Sequence, residues 1–251
     1  MIVEQVDRRV LGAIRFVDAV TRATISDPLQ VSAPDVAWHR NGRGWFVVSD
    51  APGLHHHTHA FAAAPTDVPL GSIRVPLTVR DPAGRYLPRQ YTLRLPRTAD
   101  ASGADAPDSL FRPADVPLFR SPAAPVALGW AAVRVTVTAQ GTGRRLGGAL
   151  LRVLSTDALP VLLATGLSDE RGEGLAIVPD VPVTTFGSGP SVLAVERSVT
   201  VQAVVPVTAT AVADPDAIES NLGTADVRSA VVENVKLASG RIVVLPVVVA
   251  L

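Results

Sequence analysis

The chain has 251 residues, of which 47% are hydrophobic and 18% are charged, and its formal net charge at pH 7 is zero. A neutral chain exerts no broad electrostatic attraction on nucleic acid or anionic lipid, so we expect neither as a partner. It contains no cysteine, which excludes disulfides, thiolate catalysis and cysteine-ligated zinc.

The opening stretch, MIVEQVDRRVLGAIRF, places acidic residues before basic ones and has no long apolar run, so it lacks the pattern of a secretory signal. The longest apolar run of the chain, Ile242–Leu251, has ten residues, whereas a membrane-spanning helix needs roughly 20. We therefore expect synthesis in the cytoplasm without a signal peptide, and no membrane partner.

The first predicted hairpin lies in the stretch RNGRGWFVV, Arg40–Val48. Asn41 and Gly42 favour a tight turn because both residues tolerate positive φ. Gly44 is then expected at a bulge, just before a hydrophobic strand. The same kind of phrase recurs as ERGEGLAIV at Glu170–Val178.

A histidine cluster follows in the stretch GLHHHTHAF, Gly53–Phe61. On a strand, His55, His57 and His59 would share one face, where neighbouring imidazoles could ligate a metal. His55 and His59 would lie about 13 Å apart, at roughly 3.3 Å per residue, which is too far for one ion. We predict no catalytic residue, no cofactor and no metal site, and these three histidines are the candidates if a metal does bind.

The run Arg80–Arg97 is rich in arginine and contains both tyrosines of the chain. We interpret it as an alternating strand with arginine facing water and with Tyr91, Leu93 and Leu95 inside. Binding of a polyanion or a sugar is the alternative. The next segment, 98–125, is first small and acidic and then interrupted by prolines, which predicts a connection between domains.

Two later segments alternate apolar and polar residues, as a half-buried strand requires: Val133–Ala139 and Ser198–Val207. The inward residues of the second are expected to be Val199, Val201, Ala203 and Val205. Short β-branched runs elsewhere and scarce helical periodicity predict an all-β chain.

One helix is predicted, at Asp214–Gly223. Asp214 would be its N-cap, Pro215 would lie in its first turn and Gly223 would stop it. An ordered loop is the alternative for this short segment, so the fold class is all-β with at most one short helix.

The final run, IVVLPVVVAL, is apolar on both faces, whereas a surface strand of a two-layer sandwich should alternate. One face can enter the core, and the other needs cover because an exposed apolar edge promotes aggregation. We predict a protein interface here, with a central strand covered by a loop as the alternative. The predicted interface residues are Ile242, Val244, Val247, Val249 and Leu251.

The repeated turn suggests two copies of one β-domain, since two further landmarks, one before the turn and one after it, occur in the same order in both halves. Chance agreement among glycine-rich hairpins is the alternative. In this interpretation Gly42 corresponds to Gly172, and Gly44 corresponds to Gly174. The predicted segments are a sandwich at 1–97, a linker rich in proline and alanine at 98–125, and a second sandwich at 126–251.

The second half resembles a carboxypeptidase-regulatory-like domain, the small transthyretin-like β-sandwich. The resemblance rests on hydrophobic spacing and turn glycines in VRVTVTAQGTGRRLGGALLRVL, ATGLSDERGEGLAIVPDVPV and the closing VKLASGRIVVLPVVVAL. The chain departs from that pattern by an extra segment between Phe186 and Lys236, and the first half fits more loosely. The resemblance implies a sandwich that serves as a docking or scaffold module.

These observations predict a non-enzymatic structural protein whose partners are other protein subunits, copies of itself included. Tandem sandwiches without a signal peptide resemble in style the accessory proteins of phage tails and contractile injection particles. A carbohydrate-binding module is the first alternative, using the arginine-tyrosine strand with Trp38, Trp45 or Trp130. A metal-dependent hydrolase built on the histidine cluster is the second.

Overall fold

The computed structural model describes residues 10–55, 68–179, 181, 196–208 and 210–251. The fold is all-β, as predicted, with 48% strand and 5% helix. One short α-helix, α1, spans Pro215–Ser220, and a single 3-10 turn spans Ala101–Gly103 in the described part of the chain. The strands are β1 Gly12–Asp18, β2 Gln30–Ser32, β3 Ala37–Arg40, β4 Phe46–Asp50, β5 Ile73–Arg80, β6 Arg89–Leu95, β7 Ala114–Leu118, β8 Ala131–Ala139, β9 Leu150–Ser155, β10 Leu162–Leu167, β11 Glu173–Val178, β12 Arg197–Pro206, β13 Val227–Leu237 and β14 Ile242–Val249.

The chain forms two compact units, each discontinuous in sequence. The first comprises Met1–Asp18, Arg22–Val79 and Gln90–Pro117, and the second comprises Ala19–Thr21, Arg80–Arg89 and Leu118–Leu251. These units divide the chain differently from the three segments expected from sequence. The segment predicted as a linker, 98–125, contains β7 and contributes residues to both units.

Two sheets make up the described part of the first unit, with strand orders β3-β4-β1-β7 and β2-β5-β6. β1 and β4 pair antiparallel, with Gly12 opposite Val48. The inward side chains of both sheets are buried, among them Ile14, Val48 and Leu77.

A buried arginine organises the segment after β6. Arg97 is 8% exposed and donates from Nε to the carbonyl of Ser109 at 2.9 Å. Its Nη2 donates to the carbonyls of Pro107 at 2.5 Å and Arg112 at 3.2 Å. Burial lowers the pKa of this guanidinium. A stretch of small polar residues is thereby held as an ordered loop, because one cation satisfies three backbone acceptors.

The second unit is a two-layer sandwich. Its sheets have strand orders β10-β9-β12-β13 and β11-β8-β14. Inward side chains from both sheets form one core, which includes Val135, Val153, Val201 and Val247. The alternation predicted for β8 and β12 is confirmed, since their inward residues are all buried.

The repeated phrase corresponds to the same turn in both units. In the first, the carboxamide oxygen of Asn41 accepts from the N–H groups of Arg43 and Trp45. Gly44 N–H donates to the carbonyl of Asn41 and has φ +80. This is a type I turn closed by a left-handed glycine, the usual three-residue hairpin.

The second copy of the turn is built on Asp169. Its Oδ1 accepts from the N–H groups of Arg171 and Glu173, Gly172 N–H donates to its carbonyl, and Gly172 has φ +71. Gly44 therefore corresponds to Gly172, whereas the expected pairing of Gly42 with Gly172 was wrong by two residues.

A third turn of this kind begins at Asp81. Its buried carboxylate accepts from the N–H groups of Ala83, Arg85 and Tyr86 and from the Arg85 guanidinium, and Gly84 has φ +68. Burial acts to raise the pKa of Asp81, but the hydrogen bonds from Arg85 and Ala83 outweigh it and the pKa is lowered.

The predicted helix is confirmed as α1. Asp214 is the N-cap, with its Oδ1 accepting from the N–H groups of Asp216 and Ala217, and Pro215 begins the helix. Gly223, at φ +80, follows its end. Burial raises the pKa of Asp214, although these two cap hydrogen bonds act in the opposite direction. Within the described residues, no helix has the length and apolar character needed to cross a membrane.

Candidate interaction face of the second unit

The candidate site lies on β14, an edge strand of the sheet β11-β8-β14. β14 pairs in parallel with β8 along its whole length, from Ile242 opposite Ala132 to Val249 opposite Ala139. Every β14 residue thus has a fixed neighbour on β8, and the side chains of each such pair lie on the same face of the sheet.

β14 alternates strictly between the core and the solvent. Its even-numbered residues are exposed, and its odd-numbered residues are buried or half-buried. Val244 is 70% exposed and Val248 54% exposed, whereas Val247 is 1% exposed. The run looks apolar on both faces because the outward positions also carry hydrophobic side chains.

This alternation separates the five predicted interface residues. Ile242 and Val244 are exposed on the outer face, and Leu251 is exposed beyond the end of the strand. Val247 and Val249 belong to the sandwich core and cannot contact a partner while the unit is folded. The prediction combined residues from both faces, and it missed Val248, which lies on the same face as Val244.

The outer face continues onto β8 and β11. Outward residues of β8 stand beside those of β14, with Arg134 opposite Val244. β11 contributes Glu173 opposite Thr136. We call this surface the β14 face. Its residues are Arg134, Thr136, Thr138, Glu173, Ile242, Val244, Pro246 and Val248.

The β14 face carries an arginine, Arg134, with one nitrogen that lacks a hydrogen-bond partner among the described residues. The Nε of Arg134 is buried and has no hydrogen-bond partner among the described residues. A buried donor without an acceptor costs about 1–3 kcal/mol. Glu173, on the same face, has a side chain 44% exposed, and its Oε2 lies 3.1 Å from Nη2 of Arg171. The face therefore carries both a half-buried cationic side chain and an accessible carboxylate.

The free backbone edge of β14 is interrupted by proline. The carbonyls of Arg241 and Val249 accept from Ala132 and Gln140 on the β8 side, so the odd-numbered residues direct their backbone groups toward β8. Even-numbered residues direct theirs toward the open edge. Pro246 is one of these and has no N–H, so the edge cannot pair continuously with another strand.

The predicted histidine site falls largely outside the described residues, which include His55 but neither His57 nor His59. The Nδ1 of His55 lies 2.9 Å from Oδ2 of Asp50. Among the residues that the structure describes, no group of three potential ligands could hold a metal ion.

The aromatic residues considered for sugar binding each have a neighbour in their own unit. The guanidinium of Arg43 lies 5.5 Å from the Trp45 ring, and that of Arg120 lies 5.6 Å from the Trp130 ring. Trp38 packs edge-on against Phe46.

The arginines of the Arg80–Arg97 run do not all face water, contrary to expectation. Leu93 and Leu95 are buried and Tyr91 is half-buried, but Arg89 and Arg97 are buried as well. Their guanidinium groups have carboxylate or carbonyl partners inside the protein, which hydrophobic alternation alone does not reveal.

Comparison of the chain with protein-family models, with curated proteins and with solved structures gives no match in any of the three. The likeness to carboxypeptidase-regulatory-like domains therefore stays a prediction from the sequence pattern.

Proposed function

We propose that this chain is a non-catalytic assembly protein and that a second copy of the chain docks on its β14 face. The observation that carries the proposal is the exposure of Ile242, Val244 and Val248 on one continuous strand. Exposed apolar residues scattered singly are ordinary, whereas a contiguous row on an edge strand marks an interaction surface.

The second copy is favoured as the occupant because the face is self-complementary in charge. In a two-fold dimer each contact occurs twice, so Arg134 of one copy can meet Glu173 of the other and the reverse. The exposed carboxylate of Glu173 is the kind of acceptor that suits the guanidinium of the half-buried Arg134.

Burial of the apolar row would supply a useful part of the association energy. A large side chain contributes about 1.5–3 kcal/mol when it is fully buried. Ile242, Val244 and Val248 are 44%, 70% and 54% exposed. Covering the exposed parts of these three side chains is therefore worth about 2.5–5 kcal/mol for each copy. The interrupted backbone edge favours contact between faces rather than pairing of strand edges.

A larger particle is the setting in which such a module would act, and a contractile injection particle is the one we propose. The proposal rests on the tandem sandwich pattern in the sequence and on the apolar row of the β14 face. The two-fold contact would then be one interface of that assembly.

Sedimentation velocity across the micromolar range tests the proposal. The wild-type chain should sediment as a dimer, and Val244→Asp should dissociate it. Leu128→Asp is the matched control, because Leu128 is fully exposed elsewhere in the same unit. A wild-type monomer at every concentration would refute the proposal.

A charge exchange tests the two-fold arrangement. Arg134→Glu and Glu173→Arg should each weaken the dimer, and the double variant should restore it in part. If the double variant is as weak as the worse single variant, the two residues do not meet across the interface.

A further inference from the structure

The second unit contains a cavity of about 550 Å³. Its walls come from the ends of β5, β10 and β12, from the β8–β9 turn and from the segment 210–213. The volume lies within the range of about 300–1,000 Å³ that is typical of small-molecule sites.

The floor of the cavity is apolar. It is formed by buried side chains, among them Leu146, Leu167, Val205 and Ala213. The one buried hydroxyl among the lining residues, that of Ser168, already accepts from Ala149 N–H and donates to the carbonyl of Leu146. The floor therefore provides contact for an apolar group and no side-chain hydroxyl for a polar one.

Three arginines and two acidic side chains line the cavity. Arg80, Arg144 and Arg145 line it, and no ion pair among the described residues engages their guanidinium groups. Two carboxylates also line it, Asp169 and Glu170. The Asp169 carboxylate is paired with Arg171, so of the two acidic side chains only that of Glu170 is left to offset the three arginines.

We infer that this cavity binds a small organic anion that has an apolar body and one anionic head. The apolar body lies on the floor, and the head group accepts hydrogen bonds from the arginines, whose planar guanidinium groups suit a carboxylate or a phosphate. This inference does not depend on the proposed dimer, since none of the cavity residues belongs to the β14 face.

Isothermal titration calorimetry with three probes tests the inference: octanoate, octyl phosphate and the neutral octanol. The charged probes should bind at least tenfold more tightly than octanol, and the better of the two identifies the head group. Equal affinity for all three would overturn the inference, as would no binding of any probe.

Variants locate the binding. Arg144→Gln/Arg145→Gln should weaken the charged probe about tenfold and leave octanol unchanged, whereas the control Arg241→Gln, an exposed arginine outside the lining, should have no effect. Val212→Trp should fill the cavity and abolish binding of all probes in a protein whose circular dichroism is unchanged. Undiminished binding by the arginine double variant, whose two substitutions are at exposed positions, would overturn the inference even if Val212→Trp fails to fold.

Discussion

Arg89 and Asp216 form an ion pair across 127 positions of sequence, with 2.6 Å between Nη2 and Oδ2. The side chain of Arg89 is fully buried, whereas that of Asp216 is 53% exposed. The guanidinium also lies 5.8 Å from the centre of the Phe119 ring. This contact ties the end of the Arg80–Arg89 segment to the start of helix α1, which gives the helix a fixed position on the second unit.

Because Arg89 is buried and Asp216 is half-exposed, substitutions of the two residues should lower the free energy of unfolding by different amounts. Asp216→Asn removes the carboxylate that lies 2.6 Å from the buried Arg89 guanidinium, and we expect a loss of about 2–4 kcal/mol. Arg89→Met removes the buried charge and leaves Asp216 half-exposed, so its cost should be below about 1.5 kcal/mol. Urea unfolding followed by Trp130 emission in a Trp38→Phe/Trp45→Phe background reports the second unit alone. The opposite ranking of the two variants would contradict this account.

Arg97 should hold the loop that follows β6. Arg97→Gln leaves the carbonyls of Pro107, Ser109 and Arg112 without their common donor, and we expect a loss of about 2–4 kcal/mol in the stability of the first unit. Chymotrypsin should then cut near Phe111 faster than in the wild-type chain. Arg94→Gln is the control because Arg94 is an exposed arginine of β6. Chymotrypsin should cut this variant at the wild-type rate. Equal rates in all three proteins would rule out this role for Arg97.

The Asp81 turn should stabilise the fold in a pH-dependent way. Because the pKa of Asp81 is lower in the folded chain, the ionised carboxylate stabilises the fold above about pH 3.9, and this contribution is lost as the pH falls through the folded value. Asp81→Asn keeps an acceptor, as Asn41 does in the first turn, and should cost about 1 kcal/mol at neutral pH. Asp81→Ala should cost about 2–3 kcal/mol. Urea midpoints between neutral pH and pH 3 would test this, since the difference between wild type and Asp81→Asn should shrink as acid is added.

Pro246 should limit edge-to-edge association. Pro246→Thr adds an N–H to the open edge of β14, so strands of different molecules could pair more continuously. We expect larger, concentration-dependent aggregates by light scattering. Val248→Thr changes a side chain of the same face without adding a backbone N–H to the edge, and it should form none of these aggregates. A Pro246→Thr protein that matches the wild type would show that the edge is protected in some other way.

The turn glycines should rank in a definite order. At Gly172, a Cβ would lie 2.6 Å from the carbonyl oxygen of Val137, and φ is positive, so Gly172→Ala should cost about 2–4 kcal/mol. Gly44 also has positive φ but only the Arg40 side chain nearby, and Gly44→Ala should cost about 1 kcal/mol. Gly42 has neither constraint, so Gly42→Ala should stay within about 0.5 kcal/mol. Thermal unfolding of the three variants gives the order, and an effect of Gly42→Ala as large as that of Gly172→Ala would contradict it.

The features predicted correctly from the sequence are those that depend on neighbouring residues: a helix cap, two strands and the position of a turn. Asp214 caps α1 as expected, because an N-cap is set by residues within one turn of each other. The alternating segments form β8 and β12, because the period of two that marks a half-buried strand is also set by neighbouring residues. The turn at Asn41 was located correctly, but the residue with positive φ is Gly44, since the Asn41 side chain favours a type I turn closed by a bulge.

Long-range partners explain where sequence reasoning failed. Arg89 and Arg97 are buried because a carboxylate 127 positions away and carbonyls in the next loop accept from them, and neither partner is visible in a hydrophobic pattern. Of the candidate site, the sequence located the strand and two of its outward residues, Ile242 and Val244. The choice between its two faces required knowledge of which side the core occupies. The same turn occurs at Asn41, Asp81 and Asp169, so the turn alone does not decide between duplication of a domain and chance recurrence.

The parallel pairing of β8 with β14 has a mechanical consequence. The start of β8 and the end of β14 lie at opposite ends of the paired region, from Ala132–Ala139 to Ile242–Val249. A pulling force applied between those two points acts along the strands in opposite directions. The hydrogen bonds between β8 and β14 are then loaded in shear and must break together, not one after another. Along this axis the sandwich resists tension as a shear joint, a property suited to a component that transmits load.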